Sequence, residues 1–249
     1  MAKIDEKTLA ILSQVTIEGN VIFLNCGQLD RKDYLAVNKI LASMRGKWDA
    51  KVKGHVFKED PTDRLENVLL TGEITTQQDL GHFPTPPPLA KKVIELADIR
   101  NGHAVLEPSA GEGGLADLAA DIVGHLGVDC VELQQENASL LASKGFVKVI
   151  CGNFLELKPE ARYDRVVMNP PFARQQDIEH VTHAFRCLKP GGRLVSVMSA
   201  GVLFRETKLA REFRTFLEKR GGYERNPEGS FKASGTNVNT VTVVLDKAA

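Results

Sequence analysis

Three short segments of this chain combine residue types that could do chemistry together. The first is Glu107-Pro108-Ser109-Ala110-Gly111-Glu112-Gly113-Gly114. Glycines between a strand and a helix let the backbone turn sharply and let a ligand approach where a Cβ would collide. The spacing is not G-x-G-x-x-G. Glu112 at the helix start would also repel a pyrophosphate, which seeks a helix N-terminus. A cofactor without phosphate and with a positive amino-acid end suits this turn better, and Glu107 could face that cation. The second is Glu132, 21 residues after Gly111. An acid at a strand end can accept hydrogen bonds from both ribose hydroxyls of a nucleoside. A glycine turn alone would serve equally for tight helix–sheet packing; turn, acid and their order together point to a nucleoside cofactor.

The third segment is Asn169-Pro170-Pro171-Phe172, which follows an apolar strand. Two consecutive prolines fix the backbone and remove two N–H donors, so the carbonyls of Asn169 and Pro170 remain as acceptors in a rigid turn. The Asn169 side-chain oxygen adds another acceptor. Acceptors converging on an aromatic amine can hold its protons and draw its lone pair out of conjugation towards an electrophile. They also stabilise the positive charge that builds on nitrogen. Phe172 offers a flat face for a base. Alone, the tetrapeptide also reads as an ordinary strand-terminating turn; beside a nucleoside-cofactor site it becomes a reacting centre.

These segments need a scaffold. From Leu89 the pattern alternates helices with buried strands. The helices run from Leu89 to about Ala97, from the glycine turn to about Val123, and over Asn137–Ser143. The strands are Ala104–Leu106, Val128–Val131, Val147–Ile150, Arg165–Met168 and Leu194–Met198. Near-continuous β-branched runs between helices predict a parallel sheet covered on both faces. The last strand, Asn239–Leu245, has no helix after it and is expected as an antiparallel edge. An amphipathic helix over Thr207–Arg220 should cover the sheet. Upstream, residues 71–88 hold Gly72, Gly81 and four prolines within Phe83–Pro88 and read as a connector with a rigid end. Before it, a strand at Val21–Leu24, a helix from Arg31 to about Met44, a strand-like stretch Trp48–Phe57 and a short helix near Asp63–Leu70 suggest a small α+β module. The expected division is 1–82 and 83–249.

Bulk properties exclude several classes. The chain has 249 residues, 43% hydrophobic and 26% charged, with zero formal net charge. No whole-molecule field therefore draws it to nucleic acid, and any such surface must be local. No apolar run approaches the roughly 20 residues needed to span a bilayer, and acids interrupt the N-terminal residues where a signal peptide would be apolar. Cys26, Cys130, Cys151 and Cys187 form no C-x-x-C pair, so no zinc site or disulfide framework is expected, and a cytoplasmic location follows. His180 and His183 stand i and i+3, with no third metal ligand evident.

With these motifs on the page, the sequence resembles the class I S-adenosylmethionine-dependent methyltransferases, and within them the gamma-type adenine-N6 DNA methyltransferases. The resemblance covers about Phe83 to Lys247. It rests on Pro84-Thr85-Pro86-Pro87, the Leu106–Gly113 stretch, Glu132, Gly152-Asn153-Phe154-Leu155 and Asn169–Phe172, in that order. It implies a doubly wound, Rossmann-like, mostly parallel α/β sheet and S-adenosyl-L-methionine as cofactor. By resemblance, Thr85 would meet the methionine carboxylate. Glu107, Pro108, Ala110, Gly111 and Gly113 would border the methionine end, Glu132 the ribose, and Asn153 with Phe154 the adenine. Asn169, Pro170 and Pro171 would hold the target amine with Phe172 stacked on the base, and Phe231 would supply a second aromatic face. The family usually has Asp at the Asn153 position, and Asn can still accept through its oxygen. The large target-recognition domain usual in the family has no counterpart here, so loose sequence preference is expected. No Pro-Cys pair occurs, as carbon-5 cytosine chemistry would need. An RNA base amine, a protein glutamine, or a non-catalytic nucleic-acid-binding role are the alternatives.

A target base must be flipped out or already unpaired to reach such a site, and its phosphates must be held. Between Arg31 and Lys58 stand eight basic residues against Asp33 and Asp49, an excess of +6 in a neutral protein, with Tyr34, Trp48 and Phe57 interspersed. Lys47, Lys51 and Lys53 are the expected nucleic-acid contacts there; a solvated face is the plainer alternative. DNA is the expected partner.

Overall fold

The protein is described from a computed structural model covering residues 2–25, 27, 29–71, 73–74, 83–232 and 238–249. Cys26, Gly72, Gly81 and connector residues 75–82 lie outside the described residues. The chain divides into two compact units, Met1–Leu80 and Gly81–Ala249.

In the second unit, apolar runs become a seven-stranded sheet. Its strands are β7 (Val105–Glu107), β8 (Val128–Glu132), β9 (Lys148–Cys151), β10 (Tyr163–Met168), β11 (Leu188–Ser199), β12 (Gly221–Arg225) and β13 (Thr240–Asp246). The order is β12-β13-β11-β10-β7-β8-β9. The pairs among β7 to β11 are parallel, and only β13 runs against its neighbours. This is the Rossmann-like α/β fold expected of the class. The last strand is antiparallel as predicted, but it lies one place in from the edge. Gly221–Arg225, to which the sequence reading assigns no element, pairs outside it.

Strand pleating sends successive residues to opposite faces, and both faces are buried. Val105, Val167, Val195 and Val197 pack under α4 (Pro87–Ala97), α5 (Gly114–Val123) and α6 (Gln135–Ser143) through Val93, Leu115, Ala119 and Leu141. Leu106, Val166, Met168, Leu194 and Met198 face α7 (Gln176–Arg186) and α8 (Lys208–Arg220) through Ile178, Val181, Phe213 and Leu217. Each large side chain removed from water in this way contributes about 1.5–3 kcal/mol. Helix α4 starts at Pro87, two residues before the expected start, because proline already has a helical φ and no N–H to satisfy at the first turn.

The first unit carries β1 (Ala2–Lys3), α1 (Glu6–Leu12), β2 (Thr16–Glu18), β3 (Val21–Phe23), α2 (Arg31–Ser43), β4 (Lys47–Asp49), β5 (Gly54–Val56), α3 (Thr62–Thr71) and β6 (Glu73–Ile74). Its four-stranded antiparallel sheet has the order β2-β3-β5-β4, and β1 pairs with β6. Leu12, Ile22, Val37, Leu41, Phe57 and Leu65 form its core. The single stretch expected over Trp48–Phe57 is a hairpin instead. The Asp49 carboxylate accepts from the N–H groups of Lys51 and Val52 at 2.7 and 3.2 Å, and Lys53 takes a left-handed φ of 58°. That side-chain turn breaks the strand in two. No helix among the described residues is long and apolar enough to cross a membrane.

Candidate cofactor and amine site

A cavity of about 270 Å³ opens at the C-terminal ends of β7 and β10, where ligands of open α/β sheets bind. Of the residues expected from sequence, Thr85, Glu107, Ala110, Gly111 and Asn169 line it. Ser109, inside the Glu107–Gly113 stretch expected at the methionine end, lines it too, as do Phe83, Asp117 and Lys144, to which the sequence reading assigns no role.

The turn between β7 and α5 is built by local backbone needs. Gly111 and Gly113 take φ of 55° and 93°, which residues with a Cβ adopt at a cost. A Cβ on Gly113 would also stand 2.9 Å from Leu141 Cδ2. Glu132 holds this turn from the next strand. Its Oε2 accepts from the Gly111 N–H at 2.7 Å, and its Oε1 accepts from the Gln134 N–H at 2.8 Å and Asn137 Nδ2 at 3.3 Å. A carboxylate has about four acceptor positions, so three are occupied and room for both ribose hydroxyls is lacking. Glu132 is buried and does not line the cavity.

Glu107 ends β7, is 2% exposed, and has an Oε2 with no hydrogen-bond partner among the described residues. Burial pushes its carboxyl well above the usual range, and the Glu132 and Asp117 charges add to that. Lys144, across the cavity, donates to the Glu112 carbonyl and to Asp117 Oδ2, each at 2.6 Å, and so ties α6 to the glycine turn.

Asn169 follows β10. Its Nδ2 donates to the Phe83 carbonyl at 2.7 Å, while its Oδ1 is buried and has no partner among the described residues. Phe172 is 8% exposed, and its ring meets that of Phe231 edge-on, centroids 6.0 Å apart. Phe231, expected to offer a second open face, is fully buried. Both rings belong to the core beneath β11, so neither offers a free face in this structure.

The other expected residues stand behind the cavity. Asn153 caps a short turn, its Oδ1 accepting from the Leu155 N–H at 3.1 Å and its Nδ2 donating to Glu156 Oε1 at 2.9 Å. Phe154 is buried between His180 and His183, with centroid separations of 5.9 and 4.8 Å. His180 Nδ1 lies 3.5 Å from Ser109 Oγ, a marginal hydrogen bond, and burial lowers this imidazole's pKa to about 4, with His183 adding to the effect. Pro108, Gly113, Pro170 and Pro171 shape the backbone and do not line the cavity.

In the first unit Lys47, Lys51 and Lys53 are exposed. Lys47 opposes Val56, and its neighbour Trp48 opposes the buried His55, so the two point to opposite sides of the sheet.

The family model of the methyltransferase small domain matches residues 94–224, more than half of the chain, from α4 to β12. The chain belongs to that family. Its methyl donor is S-adenosylmethionine. A protein-L-isoaspartate O-methyltransferase of Methanopyrus kandleri is 29% identical over 174 residues, covering 65% of this chain and 70% of the relative. The type II methyltransferase M.HincII of Haemophilus influenzae is 24% identical over 172 residues, covering 59% of this chain and 32% of its own length. The crystal structure of a type I restriction-modification system methyltransferase subunit from Streptococcus thermophilus superposes with a TM-score of 0.57 at 18% identity. That match covers 76% of this chain and 50% of the subunit. The chain thus spans about a third of the type II enzyme and half of the type I subunit. The methyltransferase cavity fits its cofactor's amino-acid end: the Glu107 oxygen that has no partner among the described residues suits an ammonium, and the glycine turn leaves space for main-chain approach.

Proposed function

We propose that this methyltransferase modifies the exocyclic N6 amine of adenine in DNA, with little sequence preference. One observation carries the reading. Asn169 lines the cavity, its Nδ2 is held by the Phe83 carbonyl, and its buried Oδ1 has no partner among the described residues. An aromatic amine has two N–H donors and a lone pair delocalised into its ring. Asn169 Oδ1 and the Pro170 carbonyl accept those N–H groups and orient the lone pair towards the donor. As the nitrogen gains positive charge, the two oxygens stabilise it, and its surplus proton passes to water once the methyl group has left the sulfonium as a neutral thioether. The cofactor supplies an electrophilic methyl group on a sulfonium centre.

The remaining roles follow from position. Thr85 takes the cofactor's carboxylate and Glu107 its ammonium, with Ala110 and Gly111 lying against the methionine end. Glu132 shapes the turn and keeps one acceptor position for a ribose hydroxyl, while Asn153 and Phe154 border the adenine. Phe172 stacks on the target base once its ring is released from Phe231.

The similarity to a type II methyltransferase and a type I modification subunit supports DNA as the substrate, and so does the basic segment of the first unit. A carboxylate acceptor, as in the isoaspartate enzyme, suits the site less well. It has no N–H group to offer the Asn169 oxygen. The test is incubation with labelled S-adenosylmethionine and, separately, unmethylated duplex DNA, single-stranded DNA, RNA and protein. Label is expected in N6-methyladenine from DNA. Label confined to RNA or protein overturns the reading.

A further inference from the structure

The charged segment of the first unit contains a feature that basic residues alone do not explain. Among the described residues of that unit, the exposed large hydrophobic side chains are Leu35, Trp48 and Val52. Trp48 is 46% exposed although it lies in the row that faces the core. Across the sheet that row runs Ile22, His55, Trp48, and the first two are fully buried. β4 is the edge strand, so the row emerges from the core at Trp48.

The indole is held from behind. Its ring meets that of His55 edge-on, centroids 5.2 Å apart, and His55 Nε2 is 2.9 Å from Asn38 Oδ1 on α2. Leu35 lies one helical turn before Asn38, and Arg31, Lys32 and Lys39 flank Leu35 at the spacings that share a helix face. Lys51, Val52 and Lys53 form the tip of the adjoining hairpin. The acids of the segment are engaged elsewhere. Asp33 pairs with Lys7 at 2.5 Å, and Asp49 accepts two N–H groups of its own turn.

We propose that Trp48 is a stacking platform for an unpaired nucleobase, with the surrounding cations of α2 and the hairpin tip holding the adjoining phosphodiesters. A half-exposed indole anchored by one ring contact can present flat surface to a base and loses little entropy on binding. The excess of cations over acids on these elements complements a phosphate backbone. The proposal rests on the reading that the substrate is nucleic acid, and it places a second contact on the strand, separate from the reacting base. Lys47, on the opposite face of the sheet, is outside this platform.

Trp48 is the sole tryptophan of the chain, so its fluorescence reports the site directly. The full chain is titrated with a short oligothymidylate, an oligouridylate of equal length, a blunt duplex and polyglutamate. Both single strands are expected to quench Trp48, with duplex and polyglutamate leaving the emission unchanged. Trp48→Ala, followed by anisotropy of labelled oligothymidylate, should weaken binding by roughly 5- to 100-fold, with Trp48→Phe retaining most of it. Cofactor affinity should be the same in all three proteins, which verifies their folding. Unquenched emission with unchanged oligonucleotide affinity in Trp48→Ala overturns the platform, as does equal quenching by polyglutamate. Quenching by single strands without methyl acceptance by any nucleic acid would leave the platform standing and overturn the proposed function. DNA methylation with a silent Trp48 would do the reverse.

Discussion

The Asn169 amide is oriented by Phe83. A carbonyl oxygen only accepts, so the 2.7 Å contact with the Phe83 carbonyl must be made by Asn169 Nδ2, which leaves the buried Oδ1 of this cavity-lining residue without a partner among the described residues. Leaving such an acceptor buried and unmatched costs about 1–3 kcal/mol, and an incoming N–H recovers it. Asn169→Ala should therefore lower turnover by on the order of 10²–10³-fold, the scale of losing one preorganised polar group. Cofactor affinity, read by calorimetry, should be unchanged. Asn169→Asp should also fail, because a carboxylate would face the Phe83 carbonyl with no proton between them. Full activity in either variant removes Asn169 from the reaction.

Glu107 makes cofactor binding depend on pH. Burial raises its carboxyl pKa, so at lower pH the free protein holds the proton there. A cationic ligand favours the carboxylate, and binding must expel that proton. Affinity for S-adenosylmethionine should accordingly rise with pH until Glu107 is ionised in the free protein. Calorimetry in buffers of different ionisation enthalpy would count the released proton. Glu107→Gln should bind weakly and without this dependence; a wild-type affinity independent of pH contradicts the assignment.

Glu132 is expected to matter for stability as well as for binding. Its removal leaves the Gly111 N–H buried without an acceptor, and Glu132→Ala should lose about 1–3 kcal/mol in urea unfolding for that group alone. Cofactor affinity should fall with it, because the turn loses its brace. Unaltered unfolding would show that the brace carries no energy.

His180 gives stability a pH window. Its folded pKa of about 4 lies below the ordinary histidine value of 6.5, so the unfolded chain binds the extra proton first. The contribution of neutral His180 is complete above about pH 6.5 and is lost as pH falls towards 4. The melting temperature of the wild type should drop across that interval more steeply than that of His180→Phe. Parallel profiles would contradict the burial argument.

Gly221 begins β12 beside β13. Its φ of 175° is ordinary extended backbone, so the constraint there is space: an added Cβ would lie 1.8 Å from the Val244 carbonyl oxygen. Gly221→Ala should displace β12 and lower the unfolding midpoint, whereas Gly222→Ala, with open space around it, should be nearly neutral.

Much of this was legible in the residues. The buried strands β7, β8, β10 and β11 carry runs of apolar side chains long enough to declare a two-sided sheet, and the glycine turn and Asn169 fall at the strand ends where the cavity forms; β9, expected to be buried as well, is the sheet edge and is largely exposed. What escaped depends on three-dimensional proximity. Phe83 and Asn169 are 86 positions apart, and the function of the Phe83 carbonyl is a main-chain property that side-chain identity does not encode. Lys144 sits in no motif and reaches the glycine turn only because α6 packs beside it. The hairpin at Ala50–Lys53 was hidden because its turn is closed by the Asp49 side chain, without the Asn-Gly or Asp-Gly pair that marks most two-residue turns. Gly221–Arg225 has an all-exposed pattern, so alternation gave no strand signal there.

The placement of β13 between β11 and β12 has a consequence for the order of assembly. β12 precedes β13 in the chain yet bonds only to it, so the edge has no docking partner until the later strand has inserted against β11. The half of the sheet that carries the cavity closes through pairs among β7 to β11 and does not wait for this step. β12 should therefore join last, zipping onto β13 once β13 has paired with β11.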